Sequence, residues 1–340
     1  MNHPLGTCII KPRENTYFIT SIAWTKVGDY IWTPKGWRRV KHRSYVRKKY
    51  FLKFLTPRCV LYATKNQMVF AESQKKLVKD TKILDFCYPP MEALESWIRL
   101  KDRREDMIAL GVICGLSEHN PLFFNKYGEV GVKITKSKYN ELEESGILKS
   151  LPIKVWERKV DNKITLKVKA SYKKFGYQGK RVLPAGLRFG EITKILSFLK
   201  GLLSVKGKIN TKNEIVINFD CKGLSLHVLN ILATLGIKCE YIPYDLYYKN
   251  VVYLNEDRFY KIVINDNLSK KLYLTMIGFI DEDLTQNKLK ELEEVKICLP
   301  QIEQVPIIDV KFEGIHNSYI IETDDPTSCY VCDSIWCATT

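Results

Sequence analysis

Residues 16–86 alternate apolar and polar positions in short runs broken by turn formers. In "VGDYIWTPKGWRRV", β-forming residues flank Pro34, Lys35 and Gly36, which predicts a hairpin. "CVLYATKNQMVFA" repeats that pattern around Thr64–Gln67. At Met91 the period lengthens. Apolar residues in "MEALESWIRLKDRREDMIALGVICGL" fall on every third or fourth position, the spacing of a helix. Strands are then predicted over Val130–Ile134, Ile153–Glu157 and Lys163–Val168, and a helix over Lys138–Glu144.

The same order then begins again. "EITKILSFLKGLL" predicts a helix, "KGKI" and "EIVINFD" a hairpin, and "GLSLHVLNILATLGI" a helix stopped by Gly236. "VVYLNE" and "RFYKIVI" predict strands, and Leu268–Leu292 reads as helical. A helix–ββ–helix–ββ–helix unit thus occurs twice, with Gly111 and Gly201 at equivalent places. Beyond Pro300, "VPIIDVKFEGIHNSYIIET" and "SCYVCDSIW" return to β-type alternation. The expected organisation is a β-rich region in two parts, 1–86 and 305–340, interrupted by an α+β insertion over 87–304. The repeats of that insertion cover about 91–185 and 186–300.

Composition narrows the class. The 340 residues, 45% hydrophobic and 27% charged, suffice for two globular domains. No apolar run is long enough to span a bilayer, so no membrane partner is expected. "MNHPLGTCII" lacks the basic-then-apolar order of a secretory signal. A reducing, cytoplasmic setting is therefore expected, with the ten cysteines as thiols. Cys329 and Cys332 have C-x-x-C spacing but no second pair nearby, so structural thiols are expected there and no metal site.

The net charge of +16 favours a polyanionic partner, most often nucleic acid. The densest basic stretch, "KGWRRVKHRSYVRKKYFLK" (Lys35–Lys53), holds no acid and interleaves Trp37, Tyr45, Tyr50 and Phe51. It reads either as a solvated strand face or as a DNA contact through Arg38, Arg39, Lys41, Arg43, Arg47, Lys48 and Lys49. Phosphates require positive charge but no particular pattern.

Several short blocks occur in a telling order. Cys8 precedes a β-rich stretch, "LTPRCVLYATKNQMVFAESQKKLVKDTKIL" carries Thr56 three residues before Cys59, and "VPIIDVKFEGIHNSYIIETDDP" carries Asp309 and His316. The chain closes on "DSIWCATT". This order resembles an intein: an all-β, horseshoe-like Hint splicing domain carrying an inserted LAGLIDADG homing endonuclease. The resemblance covers nearly the whole chain.

It implies intramolecular acyl transfer. Cys8 would take the acyl group from Thr7, since sulfur is intrinsically nucleophilic and a few per cent is thiolate near neutrality. Thr56, in a Thr-x-x-His position, would polarise the scissile peptide. Thr339 would attack the thioester, with Asp309 and His316 supplying the base and geometry a hydroxyl needs. A terminal asparagine would then cyclise. No cofactor is implied for splicing, and the partners implied are the flanking host segments (exteins) in cis.

This sequence departs from the pattern at three places. Cys59 stands for the first histidine, Cys337 for the penultimate histidine, and Ala338 for the asparagine. A methyl group cannot cyclise, so the last step is blocked; Ala338 is either a deliberate trap or a decayed junction. Cysteine is also a poorer proton shuttle than histidine near pH 7. "HNS" at His316–Ser318 mimics a junction, but a further β segment follows it.

The insertion resembles the LAGLIDADG family at "IALGVICGLSEHN" and "SFLKGLLSVKGKI". The resemblance implies two helices packed at Gly111 and Gly201, with a carboxylate at the end of each holding a divalent metal. Alignment on the glycines puts Leu116 and Lys206 at those positions, so the endonuclease is read as degenerate. Mg²⁺ would be needed only if it were active. Double-stranded DNA remains an expected partner. The alternatives are a DNA-binding protein of this type without self-processing, and an active nuclease using Glu118.

Overall fold

The computed structural model describes residues 3–4, 8–13, 16–89, 105–117, 123–124, 129–157, 163–169, 183, 190–248, 251–254, 259–325 and 329–338. The predicted helix from Met91 falls partly outside them, and helix α1 is described over Glu105–Leu116. From Met107 onward every α1 side chain is buried, as expected of a helix apolar on all faces. Against it lies an antiparallel sheet in the order β10 (Phe123–Phe124), β11 (Glu129–Thr135), β13 (Lys163–Lys169), β12 (Ile153–Glu157). Helix α2 (Lys136–Glu144) starts where the Thr135 hydroxyl accepts from the Lys138 amide. Val130, Val132 and Ile134 of β11, and Ile164, Leu166 and Val168 of β13, fill the core at every second position.

The second half repeats this order with additions. Helix α3 (Ile192–Lys206) leads into β15 (Gly207–Ile209) and β16 (Ile215–Phe219), then α4 (Lys222–Thr234) and β17 (Glu240–Ile242). Lys206, predicted to open a strand, instead ends α3. Gly236 follows α4 at φ +75°, the left-handed geometry of a helix stop. The strands predicted from "VVYLNE" and "RFYKIVI" are not partners. β19 (Val251–Leu254) pairs with β18 (Asp245–Tyr248), whereas β20 (Tyr260–Ile264) lies between β16 and β17. The helical tail divides into α5 (Asn267–Met276) and α6 (Glu282–Glu291), capped by Asp266 and Asp281.

Helices α1 and α3 join the halves, and they touch through backbone. A Cβ on Gly111 would overlap the Phe198 carbonyl oxygen, and one on Gly201 would overlap that of Ile108. The contacts are reciprocal, so two equivalent glycines meet at a local pseudo-twofold.

The β-rich residues form a second core. One sheet runs β1 (His3–Pro4), β22 (Asp309–Thr323), β5 (Gly36–Leu55), β4 (Tyr30–Thr33), with β6 (Val60–Ala63) also on β5. The other runs β21 (Ile302–Pro306), β9 (Ile83–Cys87), β24 (Ile335–Ala338), β7 (Met68–Ala71), β8 (Gln74–Leu77), with β23 (Cys329–Cys332) on β24. The strands predicted around Thr64–Gln67 are therefore not a hairpin: β6 and β7 belong to different sheets. A third small sheet joins β2 (Cys8–Arg13) and β3 (Thr16–Ser21) to β14 (Gly190–Glu191), so the insertion contributes a strand to the N-terminal hairpin. The sheets are open and the architecture is mixed α/β; the described residues form no closed barrel.

The glycine contact predicts a graded effect. Gly111→Ala forces the helices apart and lowers stability by about 3 kcal/mol. Gly115→Ala, whose Cβ would sit 3.3 Å from the Leu202 oxygen and the Val205 Cβ, costs about 1 kcal/mol. Urea denaturation followed by circular dichroism measures both.

Candidate nucleic-acid interface and buried cysteine cluster

Because Val130, Val132, Ile164 and Leu166 face the helices, strand alternation puts Lys133, Lys163 and Lys167 on the opposite face of the first sheet. Lys154 is opposite Lys167 in the β12–β13 register, and Trp156 is opposite Thr165. The Lys167 ammonium lies 5.1 Å from the Trp156 ring centre and 5.9 Å from that of Phe123. Lys154 is tied to Glu129 at 2.8 Å. The second sheet repeats the theme more sparsely, with Lys208, Asn218 and Lys261 on its outer face. Composition concealed this surface. Its signal was there in "KITLKVK", where lysines and apolar residues alternate with the period of a strand.

A cavity of about 560 Å³ opens where the C-terminal ends of α1 and α3 meet α2 and β16. Leu116, Thr135, Lys138, Lys206, Lys208 and Asp220 are among its lining. Leu116 is buried, and the Lys206 ammonium stands 3.6 Å from the Asp220 carboxylate. Neither helix end carries an acid. No cluster of three His, Cys, Asp or Glu side chains able to hold a metal occurs among the described residues. Glu118 lies outside the described residues.

The basic stretch forms one strand, β5, paired with β22 along most of its length. Its cations divide into two groups. Arg38 approaches Asp325 at 3.6 Å, and Arg43 stacks 3.8 Å from the Tyr319 ring centre while donating to the Ala23 carbonyl at 2.6 Å. Those two serve the fold. Arg39, Lys41, Arg47, Lys48 and Lys49 are exposed. Arg47 and Lys48 sit in a bulge opposite Asn317, with Lys48 at φ +49°.

The residues assigned to acyl transfer separate likewise. Cys8 opens β2, its side chain outside what is described, and Thr339 lies outside the described residues. Strand β2 lies against β23, which pairs with β24 so that Cys329 faces Ala338. The Thr56 hydroxyl accepts from the Cys59 amide at 2.9 Å and the Arg58 amide at 3.2 Å, and donates to the Cys59 carbonyl at 2.9 Å. Its oxygen is 3.5 Å from the Cys59 sulfur. Burial pushes the Cys59 thiol up to about 12; the Thr56 hydrogen bond opposes this, and neighbouring Asp333 and Cys337 add to it. Thr56, Cys59, Asp333 and Cys337 are all buried. Asp309 pairs with Leu55, beside Thr56, and its carboxylate holds Lys311 at 3.0 Å. His316 is exposed and pairs with Lys49, seven residues or roughly 23 Å along the strand from Thr56. The ribbon is too extended to bring His316 to the cluster.

No family model matches this chain, and no curated protein does. Solved structures similar to part of it include the homing endonuclease I-DmoI in complex with DNA and Ca, at 19% identity and TM-score 0.30 over 51% of this chain and 88% of that one. Full-length DUF199/WhiA from Thermatoga maritima is 14% identical, with TM-score 0.31 over 60% of this chain and 66% of that one. The homing endonuclease I-WcaI bound to its DNA recognition sequence is 16% identical, with TM-score 0.28 over 58% and 92%.

The raised Cys59 thiol has two measurable consequences. Its protonated form is favoured by folding, so that contribution is complete below the unfolded value of 9.0 and is lost as pH rises towards about 12. At pH 8, peptide-resolved alkylation therefore modifies exposed Cys298 while Cys59 stays intact, and thermal stability falls on titrating upward from pH 9.

Proposed function

We propose that this chain is a duplex-DNA-binding protein of the LAGLIDADG homing-endonuclease type in which metal-dependent cleavage is lost. The observation that carries the reading is the pair of lysine-bearing sheet faces on either side of the Gly111–Gly201 crossing. Each cation that displaces a counterion from the phosphates adds affinity without sequence preference. Two sheets turned outward from one helix pair offer two such surfaces, and their aromatic and amide side chains could read base edges in a groove. Exposed Arg47, Lys48 and Lys49 on the ribbon extend the positive surface.

The divalent ion of this protein type does not fit the residues present. Leu116 has no donor atom, and Lys206 is cationic and already beside Asp220. No hydrolytic step is assigned to them.

A second reading, self-processing by acyl transfer, is favoured by one observation: Thr56, Cys59 and Cys337 share a buried cluster near the β2–β23–β24 contact. In that reading Cys8 would attack the Thr7 carbonyl with Thr56 close by. Cyclisation would remain blocked at Ala338.

Two expected outcomes follow for these readings. Lys133→Ala, Lys163→Ala and Lys167→Ala together reduce the slope of log affinity against log salt by about 2.7, and supercoiled plasmid stays uncut in Mg²⁺. Duplex binding with an unchanged salt slope in the triple variant would remove the sheet assignment. For processing, Ala338→Asn with reporter proteins fused to both ends yields ligated product or thiol-induced cleavage before Cys8. Failure of both reactions disposes of that reading.

A further inference from the structure

The loop Thr56–Val60, which positions Cys59, is held at three points, two on the α+β insertion and one on β21 of the β-rich sheet. The Asn230 carboxamide on α4 accepts from the Val60 amide at 2.8 Å and donates to the Val60 carbonyl at 3.4 Å. One buried side chain thus does for β6 what a neighbouring strand would do. The Tyr241 amide on β17 donates to the Pro57 carbonyl at 2.9 Å. Arg58 reaches Glu303 at 2.8 Å, and Glu303 also takes Lys238 at 2.9 Å and the Tyr88 hydroxyl at 2.5 Å. Burial raises the Glu303 carboxyl, but hydrogen bonds from Tyr88 and Lys238 and the charge of Arg58 hold it below its ordinary range.

Two of these anchors, Asn230 and Tyr241, lie on elements that build or pack against the second outward sheet. Glu240 is exposed opposite Val263 on that face, and the next residue, Tyr241, holds Pro57. A ligand stiffening β17 therefore stiffens an anchor of the loop.

We infer that Asn230 is the positioning residue of the Cys59 loop, and that duplex DNA on the insertion is linked, through Tyr241 of β17, to the closure of that loop. Opening of the loop must break the Val60 bonds and strand a buried amide without a partner. DNA that binds the closed state better must, by linkage, make opening rarer. The linkage rests on the DNA-binding reading; the role of Asn230 does not.

Peptide-resolved iodoacetamide labelling of the full chain tests both parts. Asn230→Leu keeps the side-chain volume and removes both bonds. It raises native-state alkylation of Cys59 about tenfold. Cys114, buried in α1, stays protected as the control for global loosening. A mixed-sequence duplex of about three helical turns then slows Cys59 labelling about fivefold in the parent. Unchanged Cys59 labelling in Asn230→Leu, or Cys59 and Cys114 rising together, overturns the positioning role. Duplex that binds by anisotropy without slowing Cys59 overturns the linkage, whereas no binding at all removes the DNA reading instead. Where Asn230→Leu fails to fold, Asn230→Asp carries the same comparison, because it keeps an acceptor for the Val60 amide and loses the donor to the Val60 carbonyl.

Discussion

Two helices can approach until their backbones touch only where neither carries a side chain at the crossing. Gly111 and Gly201 meet that condition, and each faces the other helix's carbonyl. Everything in the α+β part takes its place from this contact. The sheets lie on opposite flanks of the helix pair, their apolar faces fill one continuous core, and their polar faces are left turned outward. Phe198, Leu202 and Val112 pack around the crossing, so the seam is closed by shape rather than by polar bonds.

The helix ends have a different character. α1 and α3 finish on Leu116 and Lys206, and the space beyond them is lined by lysines and by Glu141 and Asp220, which are paired with Lys138 and Lys206. The β-rich part has its own buried polar loop. Thr56 and Cys59 share a hydrogen-bonded loop and, with Cys337, are buried, and neither cysteine offers the proton-transfer capacity of an imidazole near pH 7.

Local patterns were legible where one residue's period decided the element. Ile153–Glu157 matches its predicted bounds, and β11 and α2 differ from theirs by one or two residues at an end. What alternation cannot encode is the partner. "VVYLNE" and "RFYKIVI" both look like strands, yet β18 claims the first and β16 and β17 claim the second, because pairing is settled by distant registers. Charge misled in the same manner. Arg38 and Arg43 count as cations in composition, but Asp325 and the Tyr319 ring, nearly three hundred residues away, have engaged them. Asn230 was invisible because an asparagine mid-helix gives no sign of the strand it will hold.

The strand order of the larger β-rich sheet sets a sequence in time. β24 sits between β9 and β7, whose residues are made some 250 positions earlier on the ribosome. Until it arrives, β7 and β9 present open edges to each other across a vacant slot. The α+β part, complete before then, can already be folded and waiting. Closure of the β-rich core therefore waits until β24 has been made, and any chemistry that needs Cys337 beside Cys59 is silent until then.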